Sequence, residues 1–309
     1  MDYATLIDAE TWAFIRRTEE WYPPDAVDLS IAEQRRIYDA MCRAFFEGYP
    51  EGVRVGDLSL GGVPCRLYEA GESAVSVVYF HGGGFVVGGL DSHDDVCAEI
   101  AVATGLRVIS VDYRLAPEHP HPAAFEDCLA ATRAVAERWG GRLVLAGDSA
   151  GGNLAAAVAH RTRSELPLAG QVLIYPGLGG VGRGGSYAEH AEAPMLTTRD
   201  VAFYAAIRCG GAGEPARDPT YAPLTDEDFA GLPPTAIVTA QCDPLADDGA
   251  AYKAALDAAG VPAGLRQEAG LVHGYLRARS NVGRAKRSFA RITGAIGDLA
   301  SGRFAPGSF

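Results

Sequence analysis

The chain predicts an α/β fold, a mostly parallel sheet of eight strands covered by helices on both faces. Three observations carry that expectation. From residue 74 onward, short runs rich in Val, Ile and Leu alternate with helical stretches, and such alternation builds parallel sheets buried on both sides. With 309 residues, 48% of them hydrophobic and 21% charged, the chain can bury a sizeable core in one large domain. The pentapeptide Gly147-Asp148-Ser149-Ala150-Gly151 stands between the apolar run Leu143–Ala146 and the small residues Gly152–Ala157, which is a strand, a sharp turn and a helix.

Residues 1 to about 48 read as helical. Ile7, Phe14 and Trp21 recur two helical turns apart, with Trp12 and Ile15 near the same face, and a break falls at Pro23-Pro24 before a second segment from Ile31 to Phe46. The period then changes to two. Val53–Leu58 and Val63–Tyr68, joined by a turn at Gly61-Gly62, read as an antiparallel hairpin.

Strands follow at Ala74–Phe80, Arg107–Val111, Leu143–Ala146 and Gln171–Tyr175, with helices at Asp94–Thr104, Ala123–Trp139 and after Ser149. Between Pro176 and about Leu232 the alternation lapses into a glycine-rich loop and a short helix from Thr197-Thr198 to about Ile207. It resumes with a strand at Thr235–Thr239, a helix at Asp247–Ala259, a strand at Ala263–Glu268 and a last helix at Val282–Leu299. We therefore expect a catalytic core of residues 49–176 and 233–309, and a helical cap of residues 1–48 and 177–232 over the C-terminal edge of the sheet.

A net charge of -12 argues against nucleic acid or an anionic membrane as partner, because binding phosphate needs clustered Lys and Arg. No basic n-region with an apolar core opens the chain and no apolar run reaches membrane-spanning length, so a cytoplasmic protein is expected. Cys42, Cys65, Cys97, Cys128, Cys209 and Cys242 lack CxxC spacing and read as reduced thiols rather than a zinc site or a disulfide framework.

Hydrolysis through a serine needs a base within hydrogen-bond reach, an acid to orient that base, and donors aimed at the developing oxyanion. On a sheet with this elbow, the partners follow in chain order serine, acid, histidine from strand-end loops. Asp243, in Gln241-Cys242-Asp243-Pro244-Leu245, lies just beyond a strand and ranks above Asp247 and Asp248, which fall in the first turn of the next helix. Of the seven histidines, His81 opens the glycine loop, His93, His119 and His121 also precede the serine, His160 lies in the elbow helix and His190 in the cap. Only His273 follows both partners from a strand-end loop.

Gly82, Gly83 and Gly84 after the strand ending at Phe80, together with Ala150, are the candidate oxyanion donors. No Lys-Ser/Thr follows these glycines as a phosphate-binding loop demands. The G-x-G-x-x-G match at 180–185 lacks the flanking strand and helix that dinucleotide binding needs.

The combination of His81-Gly82-Gly83-Gly84-Phe85, Asp112-Tyr113-Arg114-Leu115-Ala116-Pro117-Glu118, the Gly147–Asn153 elbow, Asp243-Pro244-Leu245-Ala246-Asp247 and His273-Gly274-Tyr275 resembles the hormone-sensitive-lipase-like α/β-hydrolases, in their bacterial carboxylesterase branch with the GDSAG elbow. The resemblance implies an α/β-hydrolase fold and a Ser149–Asp243–His273 triad. It also implies esters of short to medium acyl chains as substrates, no metal or cofactor, and a dimer formed through the last strand. Tyr275 stands where Phe is common in that family. Plant gibberellin receptors resemble the same family without a working triad histidine, so a ligand-holding role is the competing class; an amidase or acyltransferase would use the same triad.

Overall fold

The computed structural model describes residues 1–179 and 184–309, so the G-x-G-x-x-G match at 180–185 falls largely outside the described residues. The N-terminal helices are α1 (Tyr3–Leu6), α2 (Ala9–Glu19) and α3 (Ile31–Phe45). Polar side chains start the two longer ones. Asp8 accepts from the Thr11 N–H at 2.8 Å and Ser30 from the Glu33 N–H at 3.2 Å, satisfying amides that the helix leaves without partners. The helix containing Phe14 ends at Glu19, before the prolines, so Trp21 leaves the apolar stripe and is 43% exposed while Phe14 and Ile15 are buried.

The strands are β1 (Arg54–Leu60), β2 (Val63–Glu69), β3 (Val75–Phe80), β4 (Arg107–Val111), β5 (Arg142–Asp148), β6 (Leu168–Ile174), β7 (Thr235–Cys242) and β8 (Ala263–Val272). Among the described residues these eight form one sheet in the order β1-β2-β4-β3-β5-β6-β7-β8. The hairpin pairs antiparallel with itself and with β4, and every later pairing is parallel. Between the strands run α4 (Asp94–Thr104), α5 (Ala123–Trp139), α6 (Ala150–Thr162), α7 (Ser186–Glu189), α8 (Thr198–Arg208), α9 (Ala246–Ala258) and the C-terminal α10 (Gly283–Ser301).

Strand side chains alternate between two cores, as the pleat requires. Val77 and Tyr79 of β3, Val108, Val144 and Ala146 pack with Ile100 of α4, Ile292 and Ile296 of α10, and Phe14, Ile15 and Met41 of the N-terminal helices. Val78 and Phe80, Ile109, Leu143 and Leu145 pack on the other side with Phe125, Leu154, Val158 and Leu256 of α5, α6 and α9. Burial on both faces is why these strands read as continuous apolar runs.

The N-terminal helices and the stretch 184–232 touch one another. The Tyr22 and Tyr204 hydroxyls lie 2.9 Å apart, Tyr3 Oη is 3.2 Å from His190 Nδ1, and Arg199 pairs with Asp28. Thr197 and Asp200 form the capping box that starts α8. The short helix α7 was not visible in the residue pattern, whose glycines there suggested only loop. Among the described residues no helix is long and apolar enough to cross a membrane.

Candidate active site

The elbow joins β5 to α6. Ser149 has φ 55° and ψ −117°, a strained conformation for a residue with a Cβ. Backbone bonds clamp it: its N–H donates to the Ile174 carbonyl at 2.9 Å and its carbonyl accepts from Asn153 N–H at 3.1 Å. The glycines on either side are sterically required. A Cβ on Gly151 would strike the Phe80 carbonyl, and one on Gly147 would strike the Gly151 carbonyl. The serine is thereby held at the start of a helix, above the C-terminal edge of the sheet.

The other partners arrive from the adjacent strand ends. β7 ends at Cys242 and β8 at Val272, and these two residues pair across a register shift, so Asp243 and His273 leave the sheet side by side. Asp243 is fully buried, with Oδ1 accepting the Leu245 N–H at 2.9 Å and Oδ2 lying 2.7 Å from His273 Nδ1. A carboxylate facing Nδ1 makes that nitrogen the donor and leaves the Nε2 lone pair free. Nε2 is 2.8 Å from Ser149 Oγ. Three side chains separated by 94 and 30 residues therefore form one continuous line of hydrogen bonds.

The rival carboxylates do something else. Asp247 accepts the Ser186 N–H at 2.8 Å, while Asp248 accepts the Leu178 N–H at 2.6 Å and faces the Tyr187 hydroxyl at 3.2 Å. Both tie the stretch after β6 to α9.

The glycine loop requires one correction. Gly82 N–H donates to Asp148 Oδ1 at 3.0 Å, so it anchors the loop and is not free to meet an oxyanion. Gly83 (φ 125°) and Gly84 (φ 61°) hold the turn in conformations that favour glycine. A Cβ on Gly84 would lie 2.6 Å from the Tyr204 ring. Gly83, Gly84 and Ala150 wall the cavities at Ser149, which leaves their N–H groups as the oxyanion donors to consider.

Asp148 is a residue at the site whose role the residue pattern did not reveal. Its side chain is buried and accepts from the Tyr79 hydroxyl at 2.8 Å, Gly82 N–H at 3.0 Å and the Tyr175 hydroxyl at 3.3 Å, with His93 Nε2 at 3.2 Å. Burial alone would push its carboxyl up. The charge and hydrogen bond of His93, the Tyr79 hydroxyl and the buried Arg277 outweigh that and hold it well below the usual carboxylate range. The one available signal was an acidic residue continuing an apolar strand, directly before the serine.

Two cavities meet at Ser149. The larger, about 270 Å³, is lined by Ala150, Tyr187, Leu196, Val201, Arg208 and Tyr221. The smaller, about 120 Å³, is lined by Tyr22, Met41, Met195, Tyr204 and His273. Among the described residues, no group of three or more His, Cys, Asp or Glu is placed to hold a metal ion.

Comparison with known proteins identifies the fold and the family. Residues 77–277 match a family described as alpha/beta hydrolase fold. The chain is 44% identical over 246 residues to the esterase LipI of Mycobacterium tuberculosis, covering 74% of this chain and 76% of that protein. It is 34% identical over 288 residues to an ethyl acetate hydrolase of Pseudomonas putida, covering 87% and 90%. A hyperthermophilic esterase from the archaeon Pyrobaculum calidifontis superposes with a TM-score of 0.86 at 31% identity over 96% of this chain and 99% of that one. An esterase of the bacterial hormone-sensitive lipase family gives 0.84 at 29%, over 95% and 99%.

Proposed function

The chain belongs to the alpha/beta hydrolase family, in its hormone-sensitive-lipase-like esterase branch, and from that premise we propose that it hydrolyses carboxylic esters through an acyl-enzyme on Ser149. The observation that supports this most is the line Asp243–His273–Ser149, with separations of 2.7 and 2.8 Å. Each is already within the reach that proton transfer needs.

His273 Nε2 takes the hydroxyl proton as Ser149 Oγ attacks the ester carbonyl, and buried Asp243 stabilises the imidazolium that forms. The N–H groups of Gly83, Gly84 and Ala150 receive the oxyanion. Nε2 then gives the proton to the departing alkoxide, and water, activated by the same imidazole, releases the acid.

This proton path also assigns the two cavities. The leaving oxygen must lie next to Nε2, so the alcohol occupies the 120 Å³ cavity that His273 lines, and the acyl chain occupies the 270 Å³ cavity. A small alcohol and a short to medium acyl group fit that division. The N-terminal helices and the 184–232 stretch, joined through Tyr22 and Tyr204, act as the cap that closes both.

Ser149→Ala should reduce turnover of 4-nitrophenyl butyrate by at least about 10³-fold, with circular dichroism unchanged. Turnover near the wild-type rate in that variant would refute the mechanism. A serine-reactive fluorophosphonate provides a second check, because a receptor that only holds a ligand would not be labelled at Ser149.

A further inference from the structure

We propose that Arg208 selects acyl groups that end in a carboxylate, making monoesters of short dicarboxylic acids the preferred substrates. The proposal rests on the assignment of the larger cavity to the acyl chain. Arg208, the last residue of α8, is only 5% exposed, yet it forms part of the wall of that cavity. Its guanidinium is sandwiched between the Phe85 ring at 3.6 Å and the Tyr221 ring at 4.1 Å. Nη1 donates to the Tyr221 carbonyl at 3.0 Å and Nη2 to Asn153 Oδ1 at 3.2 Å. Asn153 is itself fixed, its Nδ2 donating to the carbonyls of Gly177 and Tyr221 at 2.8 and 2.9 Å. The fork is rigid, and its Nε–H and the second hydrogen of each Nη have no protein acceptor among the described residues.

What the fork lacks is an anion. Among the described residues no carboxylate lies within ion-pair distance of Arg208. The neighbouring Asp218 is turned to His121 at 3.0 Å, and Glu214, the single acid on the cavity wall, is exposed at its rim. Burial pushes the guanidinium pKa down, to about 10, and the charge persists at neutral pH. Nothing else among the described lining residues is cationic.

A buried cation held only by neutral groups and ring faces is costly, and a carboxylate delivered by the substrate would supply both the missing charge and a bidentate partner. The placement suits it. Ser149 and Arg208 line the same cavity, and Asn153, which holds the guanidinium, follows the serine by four residues in α6, so an acyl chain attached at Ser149 shares its space with the fork. A purely apolar acyl chain would instead cover the charge without compensating it. The covalent steps are those already described, with water adding across the ester and a dicarboxylic acid and an alcohol leaving.

The test compares kcat/KM for 4-nitrophenyl hydrogen glutarate with that for 4-nitrophenyl pentanoate, after subtraction of spontaneous hydrolysis. The wild type should favour the glutarate ester by about tenfold or more, less so in high salt. Arg208→Gln should lower that ratio by about tenfold or more, and Arg208→Lys should keep part of it. If the Gln variant does not fold, wild-type inhibition serves in its place, with free glutarate expected to inhibit pentanoate turnover at a lower concentration than free pentanoate does. A wild type that treats the two esters alike, a ratio unmoved by Arg208→Gln, or equal inhibition by the two acids would overturn the assignment. Failure to hydrolyse either ester would sink the catalytic reading and this one with it, whereas turnover of the pentanoate alone would sink only the role given to Arg208.

Discussion

Asp243–His273 at the rim of the sheet and Asp148–His93 beneath it are built from the same two residue types at hydrogen-bond distance, 2.7 Å in one and 3.2 Å in the other. They differ in what the second imidazole nitrogen meets. For His273 it is the Ser149 hydroxyl, which faces both cavities; for His93 it is Ser92 Oγ at 2.9 Å, a hydroxyl that itself donates to the Gly89 carbonyl. The first pair ends on a group that a substrate can reach, and the second closes on itself. Two more Asp–His pairs away from the serine occur among the described residues. His160 lies between Asp226 at 2.6 Å and the Tyr252 hydroxyl at 2.9 Å, and His121 faces Asp218 at 3.0 Å. An aspartate beside a histidine is thus a structural part used several times in this molecule. Only at the rim does a strained serine complete it, and that is the pair to which we assign the chemistry.

The largest effect that would sharpen the comparison comes from Asp243→Asn. The amide oxygen can still accept from Leu245 N–H, so the fold should hold, but the variant cannot stabilise the imidazolium or enforce the tautomer. We expect kcat to fall by about 10³–10⁴-fold with little change in the melting temperature. A loss under about tenfold would mean that the rim pair is as structural as the buried ones.

Asp148→Asn should have an intermediate effect, because the buried carboxylate holds the glycine loop through Gly82 and takes no proton in the proposed reaction. We expect a loss of roughly 10- to 100-fold in kcat and a smaller change in KM, since a loop shifted by a fraction of an ångström misaligns donors that matter most in the transition state. Stability should also fall by about 3 kcal/mol at neutral pH, because His93, Tyr79 and Tyr175 lose a charged acceptor in the core. The sign of the pH effect follows from the lowered carboxyl pKa. Ionisation favours the folded state at every pH above the unfolded value near 4, and that contribution is lost as pH falls further. The carboxyl's share of the stability gap between wild type and variant, from urea unfolding, should therefore shrink as pH falls below about 4. A share that grows there instead would show that the carboxyl is protonated in the native state.

The contrast between the pairs also explains what the sequence revealed. The rim alignment was legible because the chemistry we propose imposes an order along the chain, and each partner stands at a strand end within two residues of a glycine or proline, residues that mark a turn. The Asp148 cluster was not. Tyr79, His93 and Tyr175 come from three separate elements, and each alone looks like an ordinary core or helix-start residue. Arg208 was hidden for a related reason. A basic residue in the last turn of a helix reads as a solvent-exposed dipole partner, and only the packing of Phe85 and Tyr221 on its two faces reveals that it is buried. Trp21 erred in the opposite direction. Its spacing continued the stripe of Ile7 and Phe14, but helical spacing carries no information once the helix has ended two residues earlier.

The smallest catalytic effect should come from Asp226→Asn, which removes the charge from the pair that most resembles the rim dyad in geometry. Burial pushes the His160 pKa down, although Asp226 opposes it, so the imidazole is neutral at pH 7, with Nδ1 donating to the carboxylate and Nε2 accepting from the Tyr252 hydroxyl. Asp226 also takes a bond from Arg163 at 3.3 Å and from Asp228 N–H at 3.0 Å, and its side chain is 19% exposed, so water can replace part of what the charge supplied. Loss of one charge-assisted bond under these conditions should cost about 1–2 kcal/mol of stability, seen as a lower urea midpoint at unchanged slope. Because α6 carries His160 nearly three turns beyond Ser149 and the pair lines neither cavity, kcat should stay within about twofold of wild type. A tenfold fall in kcat without a matching loss of stability would break the comparison, for it would make a self-contained Asp–His pair matter to a reaction it does not touch.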